Sequence, residues 1–404
     1  MNDKKTAVQV LQQICKELDQ FTSENKYAGL LGGYTGSALF YAYYYQLTSN
    51  EIYLERTYHI VQRSLQALSE EGLNGSHCSG IAGIGWTLLH LAELELIAQT
   101  DLDDAFAEVD QLLAAFMETE IREGRTDFLH QGLGVALYFL HRLPAPIAQT
   151  QLAQLVQQLA SQSFPLTTGI AWKDHFSSIS QEAPTHHLFN LGLAHGVPSI
   201  IAILARIYEN GIARTTVSPL ITQSIDWLWS TRKASSAPDN SLFPVIVDEL
   251  GINAGQAQSR LGWCYGDLGI ATMLWGVGER LSQAAYKAYA HDIFRHIAQH
   301  RNRRNGAVHD ACLCHGSAGI AHILQQAAIH TNDVLLQQSA DEWWHITLQM
   351  NTWTDGPAGY KFYSHPEYIA SYNMLEGITG IGLALISFLE EEIKPAWNAS
   401  MLIY

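Results

Sequence analysis

The chain has 404 residues, 47% of them hydrophobic and 15% charged, which excludes a largely disordered protein and supplies enough apolar side chain for a large core. A formal net charge of −16 argues against nucleic acid as a partner, and the short basic run Arg301, Arg303 and Arg304 reads as a solvated helix end. No apolar run reaches the roughly 20 residues that cross a bilayer. Five sparse cysteines (Cys15, Cys78, Cys264, Cys312 and Cys314), in a chain whose start lacks a signal-peptide core, fit a reducing cytoplasm.

Taken in chain order, the first eighteen residues read as an amphipathic helix with Cys15 on its buried side. A motif then recurs: glycine, two residues, a second small residue, and an apolar helical run. Its copies begin at Gly33, Gly80, Gln131 (a degenerate third copy), Gly196, Gly266, Gly316 and Gly377. Successive starts lie 47, 51, 65, 70, 50 and 61 residues apart, room for one helical hairpin each. The runs after the motif are apolar nearly all round, as for buried helices, whereas the segments between them are amphipathic. The expected fold is therefore all-α: an (α/α)7 double-ring toroid of seven hairpins, one domain over residues 1–404. Its inner helices start at the glycine motifs, and long loops lie near 165–190, 233–260 and 351–374. Closure is preferred to an open solenoid because the seventh copy is as apolar as the second and offers no polar cap.

The residue before each motif glycine should project to one common end. Those residues are Gly32, Ser79, His130, His195, Tyr265, His315 and Glu376. Cys264 and Cys314 hold matching places in the fifth and sixth copies, and His315 follows Cys314 directly. Two thiolates and one imidazole from neighbouring hairpins suit one Zn²⁺ per chain with an open fourth position, which marks a catalytic rather than a structural metal. Cys312 reads as a packed bystander, Cys78 as a thiol without a partner histidine.

The segments LGLAHG, GWCYGDLG and CLCHGSAG resemble motifs of the lanthionine synthetase C-like family, in particular its stand-alone lantibiotic cyclases, and the resemblance runs through all seven copies. It implies the same metal ligands, Cys264, Cys314 and His315. It further implies His195 as acid/base residue, Tyr265 and Arg260 as auxiliary groups, and Asp127 as a catalytic aspartate. In the degenerate third copy, His130 either joins the site or caps a helix. The implied reaction is zinc-dependent addition of peptide cysteine thiols to dehydroalanine or dehydrobutyrine, giving thioether rings. The expected partners are a dehydrated precursor peptide, a separate dehydratase and a membrane export complex, with no nucleic acid. The three long loops, which carry His186 and His187, are expected to line a peptide channel. Three other readings stay open: glutathione addition on the same fold, a non-catalytic peptide scaffold, and another α/α toroid enzyme. The last is disfavoured because no paired carboxylates stand at the motif ends.

Overall fold

A computed structural model describes residues 2–24, 27–69, 72–98, 100–176, 187–233, 240–252 and 258–404. His186 and parts of the first two long loops lie outside them. Among the described residues the chain runs through α1 (Asn2–Glu24), α2 (Gly36–Thr48), α3 (Glu51–Leu68), α4 (Ile81–Glu93), α5 (Thr100–Arg122), α6 (Val135–His141) and α7 (Pro146–Gln162). It continues through α8 (Val197–Glu209), α9 (Arg214–Ser230), α10 (Asp267–Arg280), α11 (Ala284–His300), α12 (Ser317–Thr331), α13 (Val334–Gln349) and α14 (Ile378–Leu389). None of these helices is long and apolar enough to cross a membrane. The contacts divide the chain into two units, residues 1–109 with 308–397 and residues 110–307 with 398–404.

In the first unit α2, α4, α12 and α14 form the core. Every residue of α4 from Ile81 to Leu91 is buried, as an apolar run without a polar face requires. The helices around them bury only a stripe. On α3 it is Thr57, Ile60, Val61, Ser64 and Ala67; on α1 it is Ala7, Val10, Leu11, Ile14 and Leu18, three- and four-residue steps that keep one side toward the core. The striped helices α3 and α13 have side-chain N-caps, Asn50 accepting from the Ile52 N–H and Asp333 from the Leu335 N–H. The core helices α4, α12 and α14 start instead at an uncapped motif glycine, which leaves their first amides unpaired by side chains.

A backbone ladder fixes the order of these repeats. The Leu31 N–H donates to the Cys78 carbonyl at 2.9 Å, the Leu375 N–H to the Leu31 carbonyl at 3.0 Å, and the Cys314 N–H to the Leu375 carbonyl at 3.0 Å. The seventh repeat therefore sits directly between the first and the sixth. Helix α1 packs on α14 and so gives the last motif a hairpin partner from the start of the chain.

The second unit repeats the plan with α6, α8 and α10 as core helices and α7, α9 and α11 beside them. Here the basic run differs from expectation. Arg303 and Arg304 are exposed, but Arg301 is 5% exposed and its Nη1 lies 3.0 Å from Oδ2 of Asp267, the buried first residue of α10. The carboxylate also accepts the Leu242 and Phe243 N–H groups, so a buried anion that anchors a loop has drawn in its counter-charge. Arg301→Ala is expected to destabilise the protein by about 3–5 kcal/mol, because Asp267 would remain buried and unpaired; urea denaturation measures it.

The second small residue of the motif answers a steric demand. A Cβ at Gly319 would overlap the Leu313 carbonyl, and one at Gly83 the His77 carbonyl, each three residues before its motif glycine. Gly319→Ala should cost about 1–3 kcal/mol of stability through this overlap, seen as a lower Tm. The fourth repeat has Ser199 there, fully buried, with its hydroxyl donating to the Gly196 carbonyl.

The all-α expectation needs one addition. Among the described residues, six short strands pair antiparallel in the long loops: β1 (Phe164–Leu166) with β2 (Gly169–Ala171), β3 (Leu188–Asn190) with β4 (Ile246–Asp248), and β5 (Phe362–Ser364) with β6 (Glu367–Ile369). The β3–β4 pair stitches the first long loop to the second.

Candidate functional site

In both units the residue before each motif position is at least partly exposed, whereas the motif residue itself is buried. This holds for Gly32, Ser79, His315 and Glu376 in the first unit and for His130, His195 and Tyr265 in the second. Burial of the glycine and exposure of its predecessor follow from the turn that starts each helix, and they carry the histidines out of the core.

The second unit brings together four of the residues singled out in the sequence. His195 Nδ1 lies 2.5 Å from Asp127 Oδ2, a short charge-assisted contact between a side chain 14% exposed and one fully buried. Asp127 is itself held from two sides. Its Oδ1 accepts the His130 N–H at 2.7 Å, and its N–H donates to Gln131 Oε1 at 3.0 Å. The glutamine that breaks the third motif thus helps to fix the aspartate. The His195 ring is stacked on Phe176, with centroids 4.9 Å apart, and Tyr265 approaches it at 5.5 Å. Nδ1 is committed to the carboxylate, so Nε2 is the nitrogen left for proton transfer. Burial disfavours a charged His195, but the hydrogen bond and charge of Asp127, helped by Cys264 and Asp174, outweigh it and raise its pKa above the usual histidine value. His130 titrates the other way, its pKa lowered mainly by burial, and its ring stacks on Phe176 at 5.5 Å. Its backbone N–H thus meets Asp127, and its ring face meets Phe176.

Cys264 is buried, and its carbonyl accepts the Ala194 N–H at 3.3 Å, which ties the fifth motif to the residue before His195. Burial pushes the Tyr265 phenol up to about 12, against a contact from Asn190 Nδ2 to its hydroxyl oxygen at 3.4 Å. Arg260 is exposed, and among the described residues no hydrogen bond or ion pair holds its side chain.

In the first unit Cys314 is buried beside His315, whose side chain is 12% exposed and packs at 5.7 Å against Phe362 of β5. Cys312 accepts the His315 N–H on its sulfur at 3.5 Å, the place that the Asp127 carboxylate takes under His130 in the third repeat. Burial, and then the neighbouring Asp310, push the Cys312 thiol well above its ordinary pKa. Its sulfur is engaged with the backbone of its own turn.

Asp174, Asn190 and Phe176 belong to the site and were not singled out in the sequence. Asn190 is 1% exposed; its Oδ1 accepts the Gly192 N–H at 2.8 Å, and its Nδ2 faces Asp174 and Tyr265. It stands six residues before its motif glycine, as Asn74 and Asp310 do before theirs, and that spacing was the available signal. Asp174 and Phe176 lie in a loop outside the repeat, which gives no such signal. Asn190→Ala should lower stability by about 1–3 kcal/mol, the cost of an orphaned buried amide, and move the Tyr265 pKa further up; calorimetry and ultraviolet titration read the two effects.

Hairpins with uncapped glycine starts, a buried carboxylate–imidazole pair in one unit and a Cys–His dipeptide in the other define a class of all-α protein rather than a loose helical array. The family profile described as lanthionine synthetase C-like protein matches residues 25–402, and the chain belongs to that family. Among curated proteins it is 24% identical to the nisin biosynthesis protein NisC of Lactococcus lactis subsp. lactis across a 428-residue alignment, covering 100% of this chain and 97% of that one. The solved structure of nisin cyclase matches with a TM-score of 0.74 at 21% identity, over 99% of this chain and 97% of that one. This likeness shows the fold, the helical toroid expected from the repeats.

Proposed function

We propose that the protein is a zinc-dependent lanthipeptide cyclase, adding the cysteine thiols of a dehydrated precursor peptide to dehydroalanine or dehydrobutyrine to form (methyl)lanthionine rings. The observation that carries this reading is the His195–Asp127 pair, a buried acid/base couple in the same unit as Cys264, whose charge acts on His195. Family membership and the likeness to nisin cyclase support the same activity.

The metal ligands would be Cys264, Cys314 and His315. Their chemistry fits Zn²⁺: two buried thiols and an imidazole are borderline-soft donors that leave one of four positions open. Zinc, when bound, lowers the pKa of the substrate thiol and supplies a thiolate at neutral pH. As the new carbon–sulfur bond forms at the β-carbon, the π electrons of the dehydro residue move onto its carbonyl oxygen. His195 Nε2 then delivers a proton to the α-carbon, and the lost thiol proton restores the acid form over the cycle. Asp127 fixes the tautomer of His195 and holds its charged form. Tyr265, with its phenol kept protonated, donates a hydrogen bond toward the developing oxyanion. Arg260 would contribute to the same charge once substrate draws it in. The long loops would guide the peptide, and a separate dehydratase would supply it.

Because Asp127 supports the acid form of His195, Asp127→Asn should lower the His195 pKa. The alkaline limb of the rate–pH profile would then move to lower pH, together with a fall in rate. An unchanged limb would separate Asp127 from the protonation of His195.

The function is tested by incubating zinc-loaded protein with a dehydrated, cysteine-containing peptide in the presence of glutathione, followed by thiol alkylation and mass spectrometry. Ring closure leaves the mass unchanged and protects the thiols from alkylation, which is the expected result. Fully alkylated peptide would contradict it, and glutathione adducts without rings would favour the glutathione-adding activity.

A further inference from the structure

We propose that Asp310 is a positioning residue for His315, holding its imidazole in the form that presents Nδ1 to the metal; the proposal rests on the zinc reading above. Asp310 is 3% exposed and stands six residues before the motif glycine of the sixth repeat. Its Oδ1 accepts the Cys312 N–H at 2.8 Å, and its carbonyl accepts the Ser317 N–H at 3.0 Å. Its second oxygen, Oδ2, lies 3.7 Å from His315 Nε2 and accepts the Tyr363 N–H at 2.9 Å.

The first two contacts are structural, and other repeats make them without a charge. In the second repeat Asn74 Oδ1 accepts the Ser76 N–H at 3.0 Å, and the Asn74 carbonyl accepts the Ile81 N–H at 2.9 Å. In the fourth, Asn190 Oδ1 accepts the Gly192 N–H at 2.8 Å. An amide therefore suffices for the turn, and the carboxylate of the sixth repeat exceeds what the turn needs. The sixth repeat is also the one that carries a Cys–His dipeptide at the helix start.

A carboxylate facing Nε2 favours the tautomer protonated there and leaves the Nδ1 lone pair for the metal, the usual way in which an outer carboxylate orients a ligating histidine. The Tyr363 N–H comes from β5, whose Phe362 packs on the His315 ring, so the β5–β6 hairpin fixes both the carboxylate and the ring that it orients. The competing role for Asp310 is direct ligation, since its carboxylate, the Cys312 sulfur and a His315 nitrogen all lie within 4.8 Å of one another. Against it, the Cys312 sulfur already accepts the His315 N–H, and both Asp310 oxygens accept backbone donors.

The test compares wild type, Asp310→Asn and Asp310→Glu by zinc affinity, measured in competition with a chromophoric chelator. The electronic spectrum of the cobalt(II)-substituted proteins and the melting temperature of each metal-free form are read alongside. Asp310→Asn is expected to bind zinc about 10- to 100-fold more weakly, with thiolate-to-cobalt bands of wild-type intensity and shape. Asp310→Glu keeps the charge and is expected to recover part of the affinity; it carries the test if the asparagine variant fails to fold. Wild-type zinc affinity in both variants, even with a lowered metal-free melting temperature, would leave Asp310 a turn residue and overturn the proposal. A changed cobalt coordination spectrum in Asp310→Asn would make it a ligand and overturn it as well. A wild type that binds no zinc at all would remove the zinc reading itself, and this proposal with it.

Discussion

His195→Asn is expected to keep its zinc and to lose ring formation by roughly 10²–10⁴-fold, the contribution of a well-placed general acid. The metal should stay because His195 is not among the three assigned ligands and Asn fits the space of the ring without adding charge. The rate should fall because the side chain committed to Asp127 at 2.5 Å is the one with a free nitrogen and a raised pKa. Carbon–sulfur bond formation without protonation is reversible, so in the variant the enolate should expel the thiolate again and return the dehydrated peptide without accumulating product. The check is a time course of alkylation-protected thiols beside a zinc determination on the same preparation. Rings formed at the wild-type rate would remove His195 from the chemistry.

The second large effect is expected from Cys264→Ala. Loss of one of three protein ligands should release the metal to a competing chelator and abolish ring formation, since the uncatalysed substrate thiol is largely protonated at neutral pH. The fold should survive. Cys264 makes its tie to the fourth repeat through its carbonyl, which the substitution leaves in place. A folded, metal-free, inactive protein is the predicted outcome, read by circular dichroism, metal analysis and the alkylation assay together. Retained activity in the folded variant would place the thiol activation elsewhere.

Much of this was legible in the sequence because the repeat is written in residues with sharp physical demands. Gly83 and Gly319 are glycine because a carbonyl approaches them too closely for a Cβ. The runs after the motif are apolar all round because their helices are buried all round. Those two signals located all seven core helices and the exposed positions before them, including His195 and His315. What escaped depends on contacts between segments far apart in the chain. The pairing of α1 with α14 joins the two ends of the sequence. Arg301 looked like a solvated charge until Asp267, 34 residues away, was found buried against it. Asn190 and Asp310 share a six-residue offset from the motif, but an offset of polar residues carries no periodicity of hydrophobicity to draw the eye. Arg260 shows the reverse: a residue carried over by resemblance alone stands exposed, with no burial or hydrogen bond that would single it out.

Every step of the proposed chemistry depends on the metal, so the decisive measurement is the zinc content of the purified, metal-replete protein beside Cys314→Ala. About one zinc per wild-type chain and near-complete loss in the folded variant are expected. A wild type that holds no zinc, or a variant that holds as much as the wild type, would contradict the proposed chemistry.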